Sequence, residues 1–561
     1  MNPVKVESSP DQTAKNLLLV IQELVAEVHP QRPPAEVIGL DSRFEKDLGL
    51  DSLTRVELIA RVERVFELAL PERSFAGVET ARDLLRAIQG AVMPRASLTD
   101  AAMKAVSLGQ AEAAPAEAKT LLEVLDWHVD QHPERPHIQL YQDEGEGEGL
   151  NYRQLKSGAA KVASGLQQAG VQPAEPVVIM LPSGADYFFS FFGILMAGGI
   201  PVPIYPPARP PQLEDHMLRH TLILTNCLAI TLITVSEAKK VARLLKSHAP
   251  GLKHIVTVSE LMASSVMASP PTLNGNDIAF LQYTSGSTGN PKGVVLTHTN
   301  LLANIRAMGQ TVKAMPEDVF VSWLPLYHDM GLIGAWLGSL YYAMLLVVMP
   351  PLSFLARPER WLWAIHRYRG TLSASPNFGY EYCLKRLKDE DLEGLDLNCW
   401  RAAFNGAEAI SPDTLQQFKS RFANYGFHAG AMMPVYGLAE SSVGLAFPPL
   451  NRGPVIDQVE RSTFMHSGQA NPEPGSGQHA LHFVSSGSPL PGHQIRIADQ
   501  AGHELPERQE GRLEFRGPST TSGYYRDADN TRKLFHQDWL DSGDLAYIAN
   551  GEVYITGRVK D

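Results

Sequence analysis

The chain has 561 residues, of which 44% are hydrophobic and 20% charged, and its 49 Lys and Arg against 61 Asp and Glu leave a net charge of −12. This composition excludes a disordered or fibrous chain, the length exceeds the roughly 250–300 residues that one core can hold, and the acidic balance argues against a surface that wraps nucleic acid. The three cysteines, Cys227, Cys383 and Cys399, are scattered, fit neither a metal nor a disulfide framework, and point to reduced thiols in a cytoplasmic protein.

The chain opens on "MNPVKVESSPDQ", too polar for a secretory signal. Ala14–Val28 predicts an amphipathic helix, and Asp51–Phe66 a second, with Leu53, Val56, Ile59, Val62 and Phe66 on one face. Thr80 followed by Asp83 is a capping-box pattern that starts a third helix. Residues 1–92 therefore read as a small helical unit, and 93–118, rich in Ala, Ser and Pro, as a linker. From 119 onward, strand-like runs ("PVVIML", "AITLIT", "DIAFLQY", "MLLVVM") alternate with helical stretches, which predicts an α/β fold with largely parallel sheets. From about 450 to 555 the texture changes to short alternating strands between Gly and Pro, a smaller β-rich subdomain.

"YQDEGEGEGLNY" reads as a solvated hairpin tip, and "PIYPPARPPQ" as a rigid loop rather than a polyproline ligand. Leu332–Met349 carries no charge, and a membrane span needs about 20 apolar residues. Gly334, Gly338, Ser339 and Tyr341–Tyr342 interrupt it, and "MLLVVMPP" closes it. It is expected to be a buried helix followed by a buried strand, with no span. The run "YFFSFFGILMAGGIPVPIY" reads likewise, with Gly198–Gly199 as the helix stop.

The strongest chemical signal is "LQYTSGSTGNPKGVVLTHTN", Leu281–Asn300. A strand leads into a loop of Gly, Ser and Thr, and Lys292 precedes a second apolar run. Gly286, Gly289 and Gly293 let backbone N–H groups approach phosphate oxygens, while Thr284, Ser285, Ser287 and Thr288 add hydroxyl donors and Lys292 a positive charge. A P-loop NTPase would need Gly-Lys-Ser/Thr after four spacers, but here Pro291 precedes the lysine and Gly293 follows it.

This stretch resembles the phosphate-binding loop of the adenylate-forming superfamily, which includes acyl-CoA synthetases, luciferases and peptide-synthetase adenylation domains. The rest of that pattern follows in chain order: "LPLYHDMGLIG" with His328, "FNGAEAIS" with Gly406, Ala407 and Glu408, "VYGLAESS" with Tyr436, Gly437 and Glu440, "DSGDLAYI" with Asp544, and "GEVYITGRVKD" with Arg558 and Lys560. Taken alone, His328 could be a core histidine, Glu440 a helix cap and Asp544 a turn residue. The resemblance implies that Thr284–Thr288 and Lys292 hold the ATP phosphates and that Thr284 and Glu440 place Mg²⁺. It implies that Gly406–Glu408, Tyr436 and Gly437 frame adenine, that Asp544 and Arg558 take the ribose, and that His328 lies by the acyl carboxylate. Lys292, His328 and Glu440 are the expected catalytic residues, because a carboxylate attacking an α-phosphate brings anions together and needs cations and donors to neutralise the growing charge. Lys560 matches the hinge that precedes a small mobile lid in that superfamily, so the sequence is expected to stop short of its lid and to form acyl-adenylate poorly.

The apolar neighbourhood "GLIGAWLGSL" suits an acyl chain better than an amino acid, and Ser353–Cys383 resembles the fatty acyl-AMP ligases. Asn451–Gly492 looks like the insertion by which those ligases hinder the lid and disfavour coenzyme A, or else a variable surface loop. "LGLDSLTRVEL" resembles the modification site of acyl carrier proteins, with Ser52 as the serine that takes 4′-phosphopantetheine. A phosphodiester at a helix start is favoured electrostatically, although Asp51 or Ser52 could simply cap the helix. The mixed charges of Arg55, Arg61 and Arg64 with Glu57, Glu63 and Glu67 depart from the acidic second helix of many carriers.

The combined expectation is an all-α four-helix carrier domain followed by a large α/β adenylate-forming domain. It would use ATP and Mg²⁺ to activate a fatty acid and pass it to its own or a separate carrier, upstream of a polyketide or lipid synthase. The alternatives are a fatty acyl-CoA ligase and a non-catalytic carrier or scaffold.

Overall fold

The structure, a computed structural model, describes residues 10–28, 38–44, 47–48, 50, 58–59, 61–63, 65–66, 68, 70, 78–89, 108, 111, 114–142, 147–206, 213–264, 269–284, 290–473 and 480–559. Ser52, the loop residues Ser285, Gly286, Ser287 and Thr288, and Lys560 lie outside them, as do all of 29–37 and 90–107.

Near the N-terminus the helix Pro10–Val28 packs on the helix Ala81–Gln89, burying Leu17, Ile21 and Leu24 with Leu84 and Ile88. The capping box forms: Thr80 N–H donates to Asp83 Oδ2 at 3.0 Å and Asp83 N–H to Thr80 Oγ1 at 3.2 Å. Leu58, Ile59, Val62 and Phe66 join the same core, as helical spacing predicts.

The large part is built on a seven-stranded sheet in the order Met432–Pro434, Ala402–Asn405, Leu372–Ser375, Val319–Ser322, Leu345–Val348, Pro136–Leu140, Gly149–Asn151. All pairings are parallel except the last, the hairpin around the acidic Gly-rich turn. Leu345–Val348 is buried on both faces, which is why it reads as a continuous apolar run rather than an alternation. A second, four-stranded parallel sheet runs Ile200–Pro203, Pro176–Met180, Thr231–Thr234, His254–Val256. Between them the helix Ala185–Ala197 ends at Gly198, whose φ of 87° is the left-handed stop that glycine adopts without a Cβ clash.

The uncharged stretch is a buried helix and strand, as expected, but the helix begins as π-type at Met330–Leu337 before Gly338–Tyr341. Among the described residues no helix is long and apolar enough to cross a membrane. The C-terminal third carries an antiparallel sheet in which Trp539–Ala549 pairs with Gly511–Arg516, Phe535–His536 and Glu552–Arg558. Within Asn451–Gly492, Ile456–Val459 pairs with Leu481–Val484, and the helix Arg461–Ser467 lays Phe464 on Tyr547 of that sheet. Tyr547 Oη donates to Asp457 Oδ2 at 2.7 Å, and Arg508 pairs with the same carboxylate at 3.0 Å.

Candidate active site

The signature loop joins two antiparallel strands, Ile278–Thr284 and Lys292–Thr297, with Thr284 opposite Lys292 and Tyr283 opposite Gly293. The ring of Tyr283 lies over Gly293 so closely that a Cβ there would sit 2.8 Å from Cζ, so glycine is required for this ring to pack. A strap from Ser519 to Tyr525 crosses the second strand: Val295 N–H donates to Gly523 O at 3.0 Å and Tyr525 N–H to Gly293 O at 2.7 Å. This strap brings in a residue that no local pattern flags. Tyr524 has its ring 4.9 Å below Lys292 Nζ and donates its hydroxyl to Glu440 Oε1 at 2.8 Å. One side chain thus holds the expected phosphate lysine and the expected metal carboxylate in a fixed relation.

Glu440 stands on a short 3₁₀ turn, Ala439–Ser441, within a tight loop that leaves the seven-stranded sheet at Pro434 and enters a separate two-stranded ribbon, Ala446–Phe447 with Ser488–Pro489. Tyr436 N–H bonds Ala446 O at 2.9 Å, and a Cβ on Gly437 would fall 1.7 Å from Val443 O, so the loop closes only with glycine there. The loop is tied to its surroundings by buried polar groups. Asn304 Nδ2 donates to Gly444 O at 2.8 Å and Ser519 Oγ at 3.0 Å, Gly444 N–H donates to Asn304 Oδ1 at 3.0 Å, and Ser442 Oγ donates to Ser519 O at 3.0 Å. Desolvation raises the Glu440 carboxyl above its ordinary value, opposed by the Tyr524 hydrogen bond and by the charge of Lys292.

Tyr436 Oη donates to Asp544 Oδ2 at 2.6 Å, while Asp544 Oδ1 faces Arg558 Nε at 3.4 Å across the antiparallel pair in which Asp544 and Arg558 are register partners. The expected adenine and ribose residues are therefore brought together from two distant strings. Desolvation raises the Asp544 carboxyl, and its two partners oppose the shift. Gly406 and Ala407 end the strand Ala402–Asn405; Ala407 takes a positive φ of 68°, and Gly406 packs against Val435. Glu408 has a structural task, accepting from Phe378 N–H at 2.6 Å at the start of the helix Asn377–Arg386.

His328 is half exposed, with Nδ1 2.8 Å from Asp329 Oδ1, and that carboxylate raises its pKa. Asp329, together with Gly406, Ala407, Tyr436 and Gly437, lines one end of a cavity of about 840 Å³ including its open mouth. His328 itself is outside the lining, but its partner Asp329 is part of it. Past the mouth the walls are apolar: Phe320, Leu372 and Phe404 from the sheet, Ile305 and Met308 from the helix His298–Val312, and the small residues Gly334 and Gly338 from the π-type stretch. The cavity thus joins polar residues, Asp329 and Tyr436, to an apolar wall along the sheet.

Comparison with known proteins agrees. Residues 125–525 match the family of AMP-binding enzymes, and residues 20–88 match the phosphopantetheine attachment site. The chain belongs to the AMP-binding enzyme family, with a phosphopantetheine-attachment domain at its N-terminal side. It is 32% identical over 460 residues to the medium-chain-fatty-acid–[acyl-carrier-protein] ligase JamA of Moorena producens, covering 79% of this chain and 77% of that one. It is also 32% identical over 471 residues to the long-chain-fatty-acid–AMP ligase FadD26 of Mycobacterium bovis, covering 80% of each. The solved fatty acyl-adenylate ligase of L. pneumophila in complex with acyl adenylate and pyrophosphate superposes with a TM-score of 0.73 at 32% identity, covering 80% of this chain and 79% of that one.

Proposed function

We propose that the protein activates a fatty acid with ATP to an acyl-adenylate and delivers the acyl group as a thioester to a phosphopantetheine thiol on a carrier domain. The observation that carries this reading is an apolar cavity whose lining includes Tyr436, bonded to Asp544 and through it facing Arg558, and Asp329, both within electrostatic reach of Glu440 in the Lys292–Tyr524–Glu440 cluster. A tunnel lined this way takes a hydrocarbon chain by burial, at about 0.8 kcal/mol per methylene, and leaves its carboxylate at the mouth. The names of JamA and FadD26 support fatty acids as the substrate class and a carrier as the acceptor.

In this reading Lys292 draws the phosphates with its charge while Thr284, Ser285, Gly286, Ser287 and Thr288 supply donors to their oxygens. The half-buried Glu440, its carboxyl poised by desolvation, fits a cation, and with Thr284 it would hold Mg²⁺, which screens the phosphate charge. Asp544 and Arg558 take the ribose hydroxyls, Gly406–Glu408, Tyr436 and Gly437 bound the adenine, and His328 meets the incoming carboxylate. The carrier is a four-helix domain, about residues 1–92, bearing its arm on Ser52; 93–118 is the tether, Lys560 the hinge to a lid, and the compartment the cytoplasm. A tethered carrier works at an effective concentration of roughly millimolar, and a polyketide or lipid synthase would take the loaded chain onward. The hairpin and helix within Asn451–Gly492, packed on the strand that leads to Arg558, favour the carrier over coenzyme A as acceptor.

Fatty-acid-dependent ATP–pyrophosphate exchange tests the first half-reaction, and intact mass of the phosphopantetheinylated protein after ATP and fatty acid tests the second. An acyl increment on Ser52 is expected; exchange without any transfer to a carrier thiol, alongside efficient acyl-CoA formation, would replace this reading with the coenzyme A ligase.

A further inference from the structure

Tyr342 lines the cavity with Met344, just before the strand Leu345–Val348 begins, whereas Gly406 and Val435 line it where their parallel strands finish. The Tyr342 ring covers Gly309, where an added Cβ would lie 2.2 Å from the ring carbons, and its hydroxyl reaches Arg306 O at 3.3 Å, a long and weak bond. Tyr342 is half-buried and lines the cavity, as do Val312, Ala314 and Met344, so its ring touches both the cavity and the surface. Behind it the surface is braced. Arg135, almost fully buried, donates to Ala343 O at 2.9 Å and to Pro316 O at 2.5 Å, and also to Leu108 O. Arg306 donates to Tyr341 Oη at 2.9 Å and to Ala116 O and Ala118 O at 2.8 and 2.7 Å. Arg135 therefore fixes the backbone just after Tyr342 and Arg306 the side chain just before it, whereas Tyr342's own side chain is held by one weak bond and by packing.

We propose that Tyr342 is the stopper of the tunnel and sets the longest acyl chain the protein binds well. The proposal rests on the reading that the tunnel takes an acyl chain. A chain that reaches the phenol gains nothing from a further methylene, because no more apolar surface can be covered until the ring is displaced. Upstream, Gly334 and Gly338 have open space where a side chain would project, the nearest atoms to an added Cβ being 4.0 and 3.6 Å away. A large residue at Gly334 would shorten the same tunnel from the mouth side.

The test is calorimetric binding of acyl-sulfamoyladenosines, hydrolysis-resistant mimics of acyl-adenylate, with chain length stepped by two carbons, to the whole chain. For the unaltered protein, affinity should rise roughly fourfold per methylene up to a break and then level off. Tyr342→Ala should move the break outward by roughly two carbons or more, since removing a phenol frees the volume it filled. Tyr342→Phe should leave the break in place, and Gly334→Leu should move it inward. Should the alanine variant not fold, Tyr342→Leu carries the same expectation while keeping an apolar contact on Gly309. A break that Gly334→Leu shortens but neither Tyr342→Ala nor Tyr342→Leu extends would overturn the stopper and leave the acyl tunnel standing. An affinity indifferent to chain length in every variant would overturn the tunnel reading itself.

Discussion

Replacing Tyr524 by phenylalanine removes one atom and leaves the ring beneath Lys292 in place. The lost hydroxyl donates at 2.8 Å to a carboxylate in a desolvated setting. A hydrogen bond to a charged group contributes about 1.5–3 kcal/mol, and 1.4 kcal/mol is a factor of ten. The Mg²⁺ concentration that half-saturates nucleotide binding should therefore rise about ten- to a hundredfold, because Glu440 would no longer be held toward the cation. The cation–π contact, about 0.5–2 kcal/mol, survives in Tyr524→Phe and is lost in Tyr524→Ala, which should also weaken nucleotide binding without Mg²⁺. The assay is titration of a fluorescent ATP analogue at fixed Mg²⁺ and of Mg²⁺ at fixed analogue, with a thermal melt on each variant. A Tyr524→Phe protein with the native Mg²⁺ dependence would refute the claim that this hydroxyl positions Glu440.

Gly437→Ala should abolish fatty-acid-dependent exchange, since its Cβ would meet a backbone carbonyl at 1.7 Å and force the Glu440 loop open; activity near native would show that the loop relaxes freely. Asp544→Asn removes the charge facing Arg558 and leaves the Tyr436 hydroxyl only a neutral amide oxygen to donate to, and should raise the KM for ATP at least tenfold with little change in the KM for fatty acid; equal effects on both would contradict a nucleotide-side role. Burial holds His128 down to about 2 and His137 and His298 down to about 4. Each stays neutral in the fold while the unfolded chain takes up a proton near pH 6.5, so their stabilisation is complete above that pH and is lost as pH falls. At pH 5 the loss is about 2 kcal/mol for each, and a urea midpoint that did not fall between pH 7.5 and pH 5 would refute it.

The parts that were legible in the sequence are those whose physics is local. The strand that enters the Gly/Ser/Thr loop, the Gly198 stop, the Thr80–Asp83 capping box and the charge-free buried strand each depend on a few adjacent residues, and each forms as read. Asp544 and Arg558 were found by their motif, and the strand register places them face to face. Tyr524 was not found: it lies 84 positions from Glu440, and only the strap across the hairpin brings the two together. The same holds for Asn304 and Ser519, buried anchors of the Glu440 loop that look like ordinary helix and turn residues in the sequence. Glu408 shows the opposite case, a motif residue whose carboxylate caps a neighbouring helix. The π-type start of the helix at Met330 also left no signature, because an apolar run reads alike in either geometry.

The most direct measurement is a crystal structure of the protein with an acyl-sulfamoyladenosine bound. The sulfamoyl group should lie beside Lys292, the ribose hydroxyls on Asp544, and the acyl chain should run past Gly334 toward Tyr342. A nucleotide seated away from Lys292, or an acyl chain lying outside the tunnel, would contradict this placement.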